Sequence, residues 1–182
     1  AEIQTGLSNL YLFESRYDLA LKFLEDSRKK YEELGMPAQS LNCELEIADI
    51  YLELNLLNEA IDHYLRCERN YAELGMQAEL ARCLKNYAVA LFRSGQAETS
   101  IQKLAQAQEL FEREGNAVAQ GSAIAARAAI ELELGEFFLA EANVRAALET
   151  FRNNETFRLE LNAQWLLGEI LRVSGRDAES YV

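Results

Sequence analysis

Few side chains in this sequence are suited to catalysis or metal binding. His63 is the only histidine, and the three cysteines are Cys43, Cys67 and Cys83. A structural zinc site needs four such ligands, usually in closely spaced pairs, and the sequence contains no Cys-x-x-Cys pair. The glycines are isolated and form no phosphate-binding loop. We expect His63 on a solvent-facing side of its helix and the cysteines in packing positions, and we predict no catalytic residue, metal or cofactor.

A group of basic and amide side chains could instead bind anions. Arg82, Lys85, Asn86 and Arg93 are separated by intervals close to whole helical turns, so they share one side of a helix. Arginine binds carboxylates through two parallel hydrogen bonds, and an asparagine amide can both donate and accept. This pattern indicates a strip that could hold an acidic peptide.

An acidic strip occupies the corresponding region about forty residues earlier. It contains Asn42, Glu46 and Asp49. Residues 41–80 carry nine acids and two bases (net −7), whereas residues 81–120 carry four acids and five bases (net +1). Two interpretations are open. The strips neutralise each other in a ladder of exposed ion pairs worth about 0–1 kcal/mol each, or the basic strip holds a partner's carboxylates.

Two aromatic side chains could add apolar contacts to such a site. Phe92 lies next to Arg93, and Trp165 is the only tryptophan. Tryptophan and arginine are over-represented among the residues that dominate interface energies. For Trp165, packing in the core or at the end of the array is the alternative interpretation.

The elements that position these residues follow from an internal repeat. YEELGMPA at 31–38 returns as YAELGMQA at 71–78, and weaker copies begin at 111 and 151. The repeated columns are Tyr31, Tyr71, Phe111 and Phe151, and Gly35, Gly75 and Gly115, with Glu155 breaking the second. A fixed period of this size is the signature of a helical solenoid. The units are 1–40, 41–80, 81–120, 121–160 and a partial 161–182.

Each unit is predicted to contain two helices. Helix A covers roughly the first fourteen residues, a turn follows at the fifteenth place, and helix B runs to the glycine of the repeated phrase. The turn column is Ser15, Asn55, Gly95, Gly135 and Gly175. Small residues at the eighth and twentieth places allow close packing. The eighth place carries Ser8, Ala48, Ala88, Ala128 and Gly168, and the twentieth carries Ala20, Ala60, Ser100, Ala140 and Ser180.

Unit 4 departs from the pattern with Arg127 and Glu131, which are spaced to pair along one helix.

The alternation of small and large residues resembles the tetratricopeptide repeat, most clearly at 48–67 and 88–107. That family has a period of about 34 residues, and the surplus here lies in a longer helix B and its connection. The resemblance implies an all-α, right-handed superhelical solenoid of about four and a half antiparallel helix pairs, forming one domain over 1–182. It also implies that the A helices line a concave, peptide-binding surface. The segment 43–61 is similar to arrays of large bacterial proteins linked to CHAT proteases or to LuxR-type regulators such as the maltose activator.

We therefore predict a non-catalytic scaffold that binds a protein or peptide, with acidic groups on the partner. One alternative is a regulatory or sensor arm of a larger enzyme or transcriptional regulator. Another is a self-assembly module that stacks end to end through an uncapped end at Val182. The lack of an initiator methionine and of a capping helix indicates a fragment of a longer protein.

Bulk properties narrow the setting. The net charge of −12 argues against a nucleic-acid-binding protein. No apolar run reaches the roughly 18 residues of a membrane span, and no signal peptide opens the chain. With an odd number of cysteines and no disulfide framework, we predict a cytoplasmic protein.

Overall fold

The structure is a computed structural model that describes Tyr11 and residues 14–175. Residues 17–173 form eight α-helices of seventeen residues each. They are α1 (Tyr17–Glu33), α2 (Pro37–Glu53), α3 (Leu57–Glu73), α4 (Gln77–Arg93), α5 (Ala97–Arg113), α6 (Ala117–Glu133), α7 (Phe137–Asn153) and α8 (Phe157–Val173). The predicted all-α array of helix pairs is confirmed.

The helices end in one recurring way. The backbone N–H of Gly35 donates to Glu32 at 3.0 Å, and that of Met36 donates to Tyr31 at 2.9 Å. This is the Schellman motif, which places one residue in the left-handed conformation. Positive φ angles recur every twenty residues from Ser15 to Gly175, including 55° at Glu155. The structural repeat is therefore half the sequence repeat, because helices A and B share a length and a terminus but not a sequence.

The predicted turns are correct, but the predicted start of helix A is wrong. In the second sequence repeat (41–80) this helix begins at Pro37, four residues before residue 41. Proline suits the first turn of a helix because its missing N–H would have no intrahelical partner there. Met36 belongs to the terminus of the preceding helix, so the next helix starts directly after it and each connection contains three residues.

Hydrogen bonds define the helix directions around α2. Tyr64 donates to Asp49 at 2.6 Å, and Tyr71, further along α3, donates to Asn42, further back on α2. These two helices are therefore antiparallel. Asn86 donates to Asp49 at 2.8 Å, so α4 also reaches α2. The order of helices in the array makes α2 and α4 equivalent A helices, one repeat apart.

The chain divides into two compact units, each larger than a forty-residue repeat: Ala1–Gln96 and Ala97–Val182. From here on, unit 1 and unit 2 mean these two compact units. Each has an apolar core between its helices. Seven of the predicted small residues are fully buried: Ala20, Ala48, Ala60, Ala88, Ser100, Ala128 and Ala140. A single array over 1–182 stays a prediction.

Some sequence-based expectations lie outside the described residues. These are the small residues Ser8 and Ser180, and the end at Val182 on which end-to-end stacking was based. None of the described helices has both the length and the apolar character needed to cross a membrane.

Candidate functional site

Six of the predicted site residues lie together in unit 1. Asn42, Glu46 and Asp49 lie on α2, and Arg82, Lys85 and Asn86 lie on α4. We call this surface the α2–α4 face. Its side chains are half-buried except for that of Arg82, which is exposed. Half-buried polar groups are costly to leave unsatisfied, so their hydrogen bonds decide what the face can still bind.

Two buried tyrosines of α3 orient the polar groups of the face. The Tyr64 hydroxyl donates to Asp49 Oδ1 at 2.6 Å, and Asn86 Nδ2 donates to the same oxygen at 2.8 Å. The Tyr71 hydroxyl donates to Asn42 Oδ1 at 2.9 Å. These bonds leave the amide donors of Asn42 and the amide oxygen of Asn86 without a hydrogen bond to any described residue. The sequence placed Tyr71 in the repeat but did not reveal these contacts.

Glu46 lines a cleft on this face. The cleft has a volume of about 270 Å³ and is lined by Asn42, Glu46, Ala78, Glu79 and Arg82. Glu46 Oε2 is buried and has no hydrogen-bond partner within the described part of the chain. Burial raises the pKa of the Glu46 carboxyl, the charge of Arg82 opposes this shift, and Asp49 adds to it. The cleft thus contains an acceptor that lacks a donor.

The basic residues of the face, and Arg93 further along α4, form no ion pair with a described residue. Arg82 and Lys85 form no hydrogen bond or ion pair with a described residue, and Arg93 donates only to the Leu52 carbonyl at 3.4 Å. Burial lowers the pKa of Lys85, attraction to Asp49 opposes this shift, and Arg82 adds to it. The ladder of ion pairs between the acidic and basic strips is therefore not formed.

The remaining predicted residues are placed differently. Phe92 is half-buried near the end of α4. Trp165 is on α8 of unit 2 and is 72% exposed, so it is not a core residue. Leu45, the neighbour of Glu46, takes no part in the face because its side chain is fully buried in the core between α2, α3 and α4.

The other side of α2 carries a network that the sequence did not predict. Buried Glu44 Oε1 lies 2.9 Å from His63 Nδ1 and 2.8 Å from Arg66 Nε, and Glu44 Oε2 lies 3.5 Å from Arg28 Nε. The expectation that His63 faces solvent is therefore wrong; its ring packs against Tyr51, with centroids 5.2 Å apart.

The network changes the acidity of Glu44. Burial alone would raise its pKa, but the hydrogen bonds and charges of His63 and Arg66 outweigh burial and lower it. One sequence signal could have found this residue. Glu44 occupies the fourth place of its forty-residue repeat, and the next two repeats carry Leu84 and Ile124 there. A carboxylate in this apolar column needs a partner.

A second buried carboxylate lies in unit 2. Glu131 is 1% exposed and accepts from Arg127 Nε at 2.8 Å and from Asn143 Nδ2 at 2.6 Å. The predicted pairing of Arg127 with Glu131 is confirmed. With both oxygens bonded, the arrangement is a compensated polar substitution in an apolar column.

No alternative chemical centre is found elsewhere in the described residues. Cys43, Cys67 and Cys83 are buried free thiols. Within the described part of the chain, no cluster of three or more His, Cys, Asp or Glu side chains could hold a metal ion.

The comparisons with known proteins identify the fold. The sequence matches no protein-family model and no curated protein. It is similar in structure to a putative kinesin light chain of Podosopora anserina with TPR-like repeats, at a TM-score of 0.78 and 14% identity over 99% of this chain and 89% of that one. The chain has the TPR-like helical repeat fold.

Two Rap proteins share the TPR-like fold. A Rap protein complexed with competence and sporulation factor matches with a TM-score of 0.87 and 16% identity over 98% of this chain and 51% of that one. The Rap conjugation gene regulator of plasmid pLS20, complexed with the Phr* peptide, matches with a TM-score of 0.83 and 15% identity over 98% and 49%. The chain thus spans about half the length of these proteins.

Proposed function

We propose that unit 1 is a non-catalytic, cytoplasmic peptide-binding scaffold that holds an acidic peptide segment on the α2–α4 face. The observation that carries the proposal is that Arg82 and Lys85 form no ion pair with a described carboxylate, and are attracted only at longer range by Glu46 and Asp49. A half-buried ammonium group has lost hydration and gains from an anion that approaches from outside. A partner's carboxylate would supply that anion.

Each polar group on the face would have a role in this complex. Arg82 and Arg93 would bind carboxylates of the peptide, because the guanidinium group matches a carboxylate in geometry. The amide donors of Asn42 and the amide oxygen of Asn86 would bond the peptide backbone. Phe92 would provide an apolar contact. Since α4 is about 25 Å long, an extended peptide of about eight residues would run along it.

Glu46 would restrict where an acidic side chain can lie. Its carboxylate would repel a second carboxylate in the cleft and accept a hydrogen bond from a peptide donor. The expected ligand therefore carries acids beside Arg82 and Arg93 and a donor group over the cleft. The likeness to a Rap regulator complexed with a peptide supports a peptide partner in this fold.

A positional-scanning library of acetylated, amidated peptides tests the proposal, because blocked ends leave only side-chain carboxylates. We expect Asp and Glu to be enriched at two or more positions. The double variant Arg82→Glu, Arg93→Glu should lose binding and retain its helicity by circular dichroism. Lys85 stays unchanged because a carboxylate at that half-buried site would face Asp49.

The matched control is Arg113→Glu, Arg145→Glu. It changes the net charge equally on exposed arginines of α5 and α7, each paired within its own helix. Equal loss of binding in both double variants would mean that net charge, not the α2–α4 face, attracts the peptide. A library without acidic enrichment would overturn the proposal.

A further inference from the structure

Helix α8 exposes an apolar stripe. Phe157, Leu161 and Trp165 recur at every fourth residue, and their side chains are 71%, 48% and 72% exposed. Residues four apart lie almost above one another on a helix, so the three side chains form one continuous surface. Single exposed apolar residues are ordinary, whereas a continuous patch marks an interaction surface.

In α2, α4 and α6 the counterparts of Leu161 and Trp165 are buried or half-buried, whereas those of Phe157 are exposed. The residue of α2 that corresponds to Trp165 is Leu45, which is fully buried in the core with α3 and α4. In α6 the counterpart of Leu161 is Gly121, where a Cβ would lie only 3.0 Å from Phe151 of α7. The exposed stripe of α8 is therefore the kind of surface on which this fold stacks a further helix.

We propose that α8 pairs with α8 of a second copy of this chain, antiparallel and about a two-fold axis. The register is set by the stripe, with Leu161 against Trp165 of the second copy. A two-fold contact uses the same patch twice, so this patch must be complementary to itself.

The polar residues at the ends of the stripe fit that register. With Leu161 opposite Trp165, Arg158 comes opposite Glu169 of the second copy to within one residue. Arg158 is exposed and bonds no described residue, while Glu169 is held on the helix surface by Arg172. Two symmetry-related pairs of opposite charge would therefore flank the apolar centre.

The shapes also fit. In the same register, Phe157 comes opposite Gly168 of the second copy to within one residue. A Cβ built at Gly168 would meet no atom within 4 Å, so there is open space above this glycine. Phe157, at one end of the stripe, can occupy that space. With about 100° between successive residues, all six residues fall on roughly one third of the helix circumference.

The mass of the 182-residue chain, measured by sedimentation from submicromolar to submillimolar concentration, tests the pairing. We expect the mass to rise from 20.6 kDa to twice that value. The emission of Trp165, the only tryptophan, should shift to shorter wavelength and resist acrylamide quenching over the same range. Leu161→Glu should abolish both changes, whereas Phe138→Glu, an exposed aromatic of α7, should leave them intact.

A charge exchange tests the register. Arg158→Glu and Glu169→Arg should each weaken dimerisation roughly tenfold, and the double variant should restore it. The two positions are about 16 Å apart along one helix, so they cannot pair within one chain. Additive weakening in the double variant would overturn the register.

Two further results would overturn the pairing itself. One is a mass of 20.6 kDa at every concentration. The other is a Trp165 emission that is protected from quenching while the mass is still that of one chain, because part of the same chain would then cover the stripe.

Discussion

Glu44 and Glu46 lie two residues apart on α2 and face opposite sides of the helix. Glu44 is surrounded by His63, Arg66 and Arg28, and its pKa is lowered. Glu46 has a buried oxygen without a described partner, and its pKa is raised. One side of α2 is a completed polar network, and the other has unused bonding capacity.

The difference indicates which side serves function. Glu44 on α2 has partners from two other helices, so it fastens three helices together and has little left to offer a ligand. The α2–α4 face keeps the amide donors of Asn42, the amide oxygen of Asn86 and its cations without a hydrogen bond to a described residue. Changes on the Glu44 side should therefore affect folding, and changes on the Glu46 side should affect binding.

The largest effect is expected from Glu44→Ala. It leaves His63 and Arg66 without their anion, and because Glu44 is buried while Arg66 is 55% exposed, we expect a loss of about 2–3 kcal/mol of unfolding free energy. Urea unfolding measures this loss, and peptide affinity should not change at temperatures where the variant is folded. A loss of affinity equal to that of the α2–α4 face variants would remove the distinction between the two sides.

The next effect concerns binding alone. Arg82→Glu with Arg93→Glu should weaken the binding of an acidic peptide by about 2 kcal/mol, or roughly thirty-fold in affinity. The unfolding free energy should change by less than about 0.5 kcal/mol because both side chains are exposed. Calorimetric titration and urea unfolding of the same samples check both halves. A large loss of stability with unchanged affinity would reverse the assignment.

The sequence predicted the framework well because each junction has a local cause. A residue in the left-handed conformation must follow every helix B, and glycine supplies it at Gly35, Gly75 and Gly115. The basic and acidic positions were also predictable, since they follow from the helical period. Burial of Leu45 was not predictable from that period, because it depends on how closely α3 and α4 approach α2.

A smaller effect is expected in the shared framework. Glu155 adopts a φ of 55° where the equivalent residues are glycines. Glu155→Gly should raise the unfolding free energy by about 0.5–1 kcal/mol, the relief of left-handed strain less the entropy of a freer unfolded chain. Thermal unfolding measures this gain, with Gly115→Glu as the converse variant. Unchanged stability in both would show that the junction tolerates side chains without strain.

The smallest effect should come from Glu46→Gln. Because the folded-state pKa is raised above 4.5, the ionised carboxylate opposes folding once the pH exceeds that value. The variant should gain about 0.5 kcal/mol or less at neutral pH and lose this gain as the pH falls through the raised folded-state pKa towards 4.5. For Glu44→Gln the sign is opposite: stability present in the parent above 4.5 is missing in the variant. Parallel unfolding curves against pH for the two variants check this, and equal signs would contradict it.

His63 shows why the polar contacts could not all be predicted. It lies between Asp62 and Tyr64 in the sequence, and this context indicated a solvent-facing position. Its actual partners come from α2, nineteen residues away for Glu44. Such a contact depends on the rotation of two packed helices about their axes, which the repeat period alone does not determine.

The most direct test of the central claim is a map of the bound peptide. An amide NMR spectrum of the isotope-labelled chain would be recorded with and without the tightest peptide from the blocked library. We predict shifts that concentrate on α2 and α4 around Asn42, Glu46, Arg82 and Asn86, and that vanish in the Arg82→Glu, Arg93→Glu variant. Shifts that concentrate instead around Glu44 and His63, or on helices of unit 2, would contradict it.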